Sequence, residues 1–342
     1  MPIRTAILGY GRSGSTLHAN PLEKNDAFEI VAACDIDPER NRLASERFGC
    51  TTYDDYHEML RNEDLDLVSI VTRSDQHCAM TCDCLEAGVN VLVTKPWAVN
   101  TAEAERMTET ARRTGKRLLP WLPARWGCDL RRLQTLVDEG AIGDVFLIRR
   151  VVSSFRTRCD WQTERKYGGV YLLNWGPHII DPPVILMRSR VASVYARMKQ
   201  TINPGDTEDL FFALLTLENG TVIQAEYTVS PEPFPSWVLQ GTEGAITFDD
   251  KHIRVRRTVP EQPDDPTQYG KEDKSNETIR EETVEGSVYG DEHEIYAEVA
   301  EALQRNEPFA VSPDDALGLS RILDAIRTAD AENRVVTLGS SA

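Results

Sequence analysis

Apolar residues arrive first in short bursts. "RTAILG", "FEIVAACD", "LDLVSIVT", "NVLVTK" and "KRLLPW" are compact, largely β-branched runs bounded by turn formers, and they predict strands. Between them, residues 38–48, 76–87 and 102–114 carry helical patterns, with Gly49, Gly88 and Gly115 just beyond, where a left-handed C-cap residue is expected. Strand–helix alternation with apolar strands predicts an α/β domain, a doubly wound parallel sheet covered on both faces. Near residue 120 the pattern changes. "CDLRRLQTLVDEGAIG" predicts a helix ending in glycine and "DVFLIRRVVSSF" a long strand. "RVASVYARMK", "DLFFALLTLENGTVIQAEYTVS", "WVLQGTEGAITFDD" and "HIRVRRTV" then follow one another as strands with turn signals between them, which predicts a second, mostly antiparallel open sheet in an α+β domain. Residues 260–290 are polar, acidic and rich in turn formers, and are expected to form an exposed loop or ragged hairpin. Helical patterns at about 291–304 and 314–330 close the chain, the second opening on "SPDD", a good N-terminal cap with proline in the first turn.

A chain of 342 residues exceeds what one hydrophobic core usually serves. The expected division is 1–122 and 123–342, with the C-terminal helix packing back on the first domain. A formal charge of −17 without a basic stripe argues against a nucleic-acid partner. No apolar run approaches the roughly 20 residues that cross a bilayer, so no membrane partner is expected. "MPIRTAILGYGRSG" enters an apolar run at once, without the features of a secretory leader, and cytoplasmic residence is the expectation. The seven cysteines are an odd number, which suggests reduced thiols. Cys78, Cys82 and Cys84 cluster on one predicted helix. They lack a closed four-ligand pattern, so packing is favoured over zinc and no metal is expected.

Chemistry enters with "AILGYGRSG", in which Gly9, Gly11 and Gly14 form G-x-G-x-x-G directly after the first strand. Gly9 permits a tight turn, Gly11 lets the backbone approach a pyrophosphate, and Gly14 lets helix and strand pack closely. Arg12 and Ser13 can add donors to the anion at the following helix N-terminus. Asp35 ends the second strand about 20 residues further on, where a carboxylate can accept hydrogen bonds from both adenosine ribose hydroxyls. That carboxylate would repel a 2′-phosphate, so NAD is favoured over NADP, with Arg40 nearby keeping dual use open.

With "VTKPWAVN", "DEGAIGDV", "GGVYLLNWGPHIID" and "GTEGAITFDD" following the glycine turn in this order, nearly the whole chain resembles the glucose-fructose oxidoreductase, inositol dehydrogenase and MocA (Gfo/Idh/MocA) family. The resemblance implies a Rossmann domain followed by a substrate domain whose open sheet often forms a homodimer or homotetramer interface. It also implies nicotinamide-dependent oxidation or reduction at a carbon of a sugar, cyclitol or related polyol. Lys95 matches the lysine of the family's Glu-Lys-Pro motif, with Thr94 in place of the glutamate. His178 matches the family's acid–base histidine. Asn174 stands four residues earlier, where aspartate is usual; an amide can orient a hydroxyl but cannot raise the imidazole's pKa as a carboxylate would. Asp181 is a candidate for the missing carboxylate, although Pro182 and Pro183 disturb the helix that would aim it, and a structural role is favoured.

By the same resemblance Arg125, Trp126, Asp160, Trp161 and Tyr167 are candidates for the substrate rim, and Thr72 and His77 for the cofactor crevice, although Arg73 and Asp75 replace the family's usual Pro-Asn there. Two other readings stay open. One keeps NAD bound throughout while a sugar is transiently oxidised for elimination, epimerisation or sugar-to-sugar redox. The other is a nicotinamide-binding sensor or partner-binding protein without chemistry, suggested by Thr94 and Asn174.

Overall fold

Strand-forming runs at Ile3–Leu8 (β1), Phe28–Cys34 (β2) and Leu67–Ile70 (β4) lie side by side in a computed structural model that describes residues 1–265, 267–270 and 274–339. Between them fall α1 (Ala19–Glu23), α2 (Pro38–Phe48), the short β3 (Thr51–Tyr53) and α3 (Tyr56–Asn62). After β4 the chain continues as α4 (His77–Glu86), β5 (Asn90–Thr94), α5 (Thr101–Thr114) and β6 (Leu118–Trp121). The six strands pair in parallel in the order β3-β2-β1-β4-β5-β6. Order reverses between β1 and β4, and that switch point is where an open α/β sheet leaves a crevice beyond its strand ends. Gly49 and Gly115 take left-handed C-cap conformations, as their spacing predicts. Pro120 lies in β6, an edge strand, where a missing amide donor costs least.

Residues 1–123 make this compact unit together with two later segments, 164–169 and 290–321. Tyr296 lies inside it: its hydroxyl is 2.9 Å from His18 Nδ1 and 3.0 Å from Ser69 Oγ. Burial holds the His18 pKa down at about 3, so the ring is neutral in the fold. Trp97 Nε1 donates to Ser320 Oγ at 2.9 Å.

The second unit comprises residues 124–163, 170–289 and 322–342. In chain order it contains α6 (Cys128–Asp138), β7 (Val145–Ser153), α7 (Tyr171–Ile179), α8 (Asp181–Met187), β8 (Val191–Lys199), β9 (Leu210–Leu217), β10 (Val222–Thr228), β11 (Trp237–Gly241), β12 (Gly244–Asp249), β13 (His252–Arg257) and β14 (Thr278–Thr283). The helices α9 (Glu292–Arg305) and α10 (Pro313–Glu332) and the short β15 (Val336–Thr337) end the chain. Nine strands form one sheet, β14-β13-β12-β11-β7-β10-β9-β8-β15, antiparallel throughout except for the β7–β10 pair. Phe211, Ala213, Leu215, Ile223, Ala225 and Tyr227 alternate onto a buried face against which α7 packs. Of the acidic stretch expected as a loop, residues 266 and 271–273 lie outside the described residues; the rest includes β14.

The buried His18 makes stability depend on pH. Its unfolded form titrates near 6.5 and its folded form near 3, so the unfolded chain binds a proton that the folded chain refuses as pH falls through that window. Between pH 6.5 and 5, stability should fall by up to about 1.4 kcal/mol per pH unit from this group. Urea titrations should show a smaller fall for His18→Asn than for the wild type; equal slopes would refute the assignment.

Candidate functional site

At the carboxyl end of β1 the chain folds back on itself more closely than any side chain allows. A Cβ on Gly14 would stand 2.0 Å from the Gly9 carbonyl oxygen, and one on Gly9, whose φ is +97°, would stand 2.7 Å from the Val71 oxygen. Only hydrogen fits at either position. At Gly11 the space is open except for Arg40 Nη1, which would lie 3.5 Å from a Cβ placed there, so a ligand can approach the backbone. Gly14–His18 then form a π-helical turn. Thr16 Oγ1 donates to the Arg12 carbonyl at 2.6 Å, closing the turn that carries Arg12 and Ser13. The turn has room for a pyrophosphate, because its glycines at 9, 11 and 14 remove Cβ atoms that would crowd the backbone.

Asp35 closes the turn from the side. Its Oδ2 accepts from the Tyr10 amide at 2.8 Å and its Oδ1 from the Asp37 amide at 3.0 Å. Asn41 fixes the main chain at the same residue, accepting from Asp35 N and donating to Asp35 O and Tyr53 O. The Arg40 guanidinium lies 3.4 Å from Asp35 Oδ2.

Lys95 follows β5 directly, at a cis peptide bond to Pro96. His77 ties this turn down: its Nδ1 is 2.8 Å from Pro96 O and its Nε2 3.1 Å from Thr72 O. Burial lowers its pKa and favours the neutral ring, which has one N–H to give to one of these carbonyls. His77 is thus a buried brace between the loops that carry Thr72 and Lys95. Thr72 is half-buried, with Oγ1 3.4 Å from Met80 Sδ. Arg73 stacks on the Tyr167 ring at 4.1 Å and pairs with Asp75, and Lys166 approaches the same ring at 4.6 Å. Tyr167 thus belongs to the first unit, in a segment ending at Gly168, whose φ is +68°. The cysteines of α4 are packing groups: Cys78 Sγ donates to Glu103 O, Cys82 Sγ accepts from Thr110, and Cys84 is fully buried. Among the described residues no cluster of three or more candidate metal ligands occurs.

Asn174 and His178 lie one turn apart on α7, both buried. The Glu208 carboxylate accepts from the Leu172 amide at 3.1 Å, at the N-terminal end of α7 where the helix dipole favours an anion. Gly176 lies against Leu323, whose Cδ2 would stand 2.7 Å from a Cβ placed there and would have to shift. Around His178 stand Trp175 and Tyr289, with ring centroids 5.9 and 4.9 Å away in edge-to-face arrangements.

Asp181 opens α8, past the break at Ile180, and faces Arg125. Arg125 Nε and Nη2 each donate to one Asp181 oxygen at 2.9 Å, and the two side chains are 8% and 5% exposed. That bidentate pair agrees with the structural role favoured for Asp181, and it commits Nε and Nη2 of Arg125 to the carboxylate. Trp126 is buried, 4% exposed. Asp160 is exposed and paired with Arg158, and Trp161 beside it is half-buried. Asn41, Glu208 and Tyr289 stand outside every motif the sequence displays, and Tyr10 is a variable position of the glycine motif. Only Asn41 has a local signal, six residues past the acidic strand end.

Residues 3–120 match the family model described as oxidoreductase family, NAD-binding Rossmann fold, and residues 130–247 match the GFO/IDH/MocA C-terminal domain. The scyllo-inositol 2-dehydrogenase (NADP⁺) IolW of Bacillus subtilis is 26% identical, covering 98% of this chain and 96% of its own length. D-Apiose dehydrogenase of Paraburkholderia graminis is 31% identical over 70% of this chain and 66% of its own. Among solved structures, an NAD-binding protein from Listeria innocua superposes with a TM-score of 0.84 at 25% identity, covering 98% and 97% of the two chains.

Removing one partner of the buried Arg125–Asp181 pair leaves an uncompensated charge. Asp181→Ala should destabilise the protein by about 3–5 kcal/mol in urea denaturation. A loss below about 1 kcal/mol would show the pair to be incidental.

Proposed function

Because the chain belongs to the oxidoreductase family with an NAD-binding Rossmann fold and a GFO/IDH/MocA C-terminal domain, we propose that it transfers a hydride between nicotinamide and a carbinol carbon of a sugar, cyclitol or related polyol. Lys95 carries most of the weight. It sits at the carboxyl end of β5, in the sheet whose order reverses between β1 and β4, on a turn braced by His77. The inositol- and apiose-directed names of the relatives support the polyol class.

In this proposal Lys95 hydrogen-bonds the reacting hydroxyl and stabilises the negative charge that grows on its oxygen. His178 accepts the hydroxyl proton, since an imidazole titrates in the useful range. Asn174 orients a neighbouring hydroxyl through its amide and carries no charge. When bound, the nicotinamide supplies the hydride acceptor. Asp35 favours an unphosphorylated ribose, which makes NAD the preferred cofactor.

We further propose assembly through the outer face of the nine-stranded sheet. Leu147, Phe212, Leu214 and Val222 stand half-exposed on one side of neighbouring strands, an apolar patch that a second copy would cover. Seven free thiols, five of them buried, support residence in a reducing compartment.

Lys95→Ala should lower kcat by at least about a hundredfold while the NADH dissociation constant changes less than about threefold. Normal turnover would remove Lys95 from the mechanism. Phe212→Glu with Leu214→Glu should convert an oligomer to single chains in light scattering; a wild-type protein that is already monomeric would refute the sheet interface.

A further inference from the structure

Residues 164–169 are remote in sequence from the rest of the first unit, yet they belong to it. They fold as one closed turn. The Tyr167 and Gly169 amides both donate to Glu164 O at 3.2 Å, and the Gly168 amide donates to Arg165 O at 3.0 Å. This turn rests on the two loops that leave the carboxyl ends of β4 and β5. A Cβ placed on Gly168 would stand 2.7 Å from Val99 Cγ1, 3.0 Å from Ser74 Cβ and 3.2 Å from Asp75 N, so the backbone lies directly on both loops. They are the loops that carry Thr72 and Lys95 and that His77 ties together. β4 stands next to β1, so the turn borders the switch point of the sheet.

One side chain fastens the turn to the β4 loop. The Arg73 guanidinium carbon lies 4.1 Å from the centre of the Tyr167 ring, well inside the roughly 6 Å reach of a cation–π contact. Its ion pair with Asp75 is looser, at 3.3 Å, with the two side chains 36% and 29% exposed. Lys166 approaches the same ring at 4.6 Å, but it is pinned to Glu164 at 2.6 Å and so joins the turn only to itself. A ring-face contact at a partly exposed site is weak enough to open and reform while the surrounding fold stays intact.

We propose that Arg73 and Tyr167 form a clasp over the carboxyl-end crevice, so that a dinucleotide enters and leaves only when the 164–169 turn lifts from the β4 and β5 loops. The proposal rests on the dinucleotide-binding role of the glycine turn and assigns what controls access to it. Both halves of the clasp are protein groups, so loosening it raises entry and exit by the same factor and leaves the binding equilibrium nearly unchanged. A residue whose side chain held the cofactor itself would behave otherwise, because its loss raises the exit rate and weakens binding.

Stopped-flow fluorescence of the full chain with NADH reads both rate constants without turnover. Arg73→Ala and Tyr167→Leu should each raise kon and koff about threefold to tenfold, while the dissociation constant changes less than about twofold. Tyr167→Phe keeps the ring face and should stay within about twofold of the wild type in both rates. The double variant, Arg73→Ala with Tyr167→Leu, should be no faster than either single one, since both break the same contact. The proposal is overturned by unchanged rates in Arg73→Ala, by a rise in koff alone, by a Tyr167→Phe variant as fast as Tyr167→Leu, or by additive effects in the double variant. If NADH does not bind the wild type, the dinucleotide reading itself falls and takes the proposal with it, an outcome distinct from those four.

Discussion

At Gly9 and Gly14 the main chain passes itself at a separation that admits a hydrogen atom and nothing larger. That contact lets β1 run directly into the turn, leaves amides uncovered, and fixes where the next strand's acidic end must stand. Asp35 completes it, receiving the Tyr10 amide from the turn and the Asp37 amide from the start of α2. The carboxylate is thus a structural acceptor within the turn. The same geometry brings Arg40 within 3.4 Å of Asp35 Oδ2.

Much of the first unit was legible because each of its long elements announces itself locally. The helix read at 38–48 occupies those residues, and the glycines at 49 and 115 take the left-handed conformation their position implies. The acidic strand end and the glycine turn also meet where their spacing implies, Asp35 Oδ2 accepting from the Tyr10 amide. The short β3 and α3 were not legible, since three and seven residues are too few to show a period.

Long-range pairing was invisible for a different reason. Arg125 and Asp181 lie 56 residues apart, and neither sits in a local pattern that names the other. The resemblance offers Arg125 for a substrate rim and is silent on the carboxylate that its buried guanidinium meets inside the protein. Trp126 follows the same logic, its ring serving the core. His77 is subtler: its two ring nitrogens face main-chain carbonyls of the turns at Thr72 and Pro96, a long-range contact with no local sequence signal. On α7 the motif fixed the spacing of Asn174 and His178. What the motif omitted were the contacts that set the helix, Glu208 at its amino end and Leu323 against Gly176.

Asn174 gives the proposed chemistry its particular character. An amide one turn before the imidazole can position a hydroxyl, yet it adds no charge to hold a proton on His178. Catalysis in this account leans on Lys95 for charge and on His178 for proton transfer. The most direct measurement follows the hydride itself: the protein is incubated with NAD and a panel of carbon-deuterated inositols and aldoses, and the nicotinamide is examined by mass spectrometry. The account predicts one deuterium at nicotinamide C4 from at least one polyol. Nicotinamide that binds and stays unlabelled across the panel would contradict it.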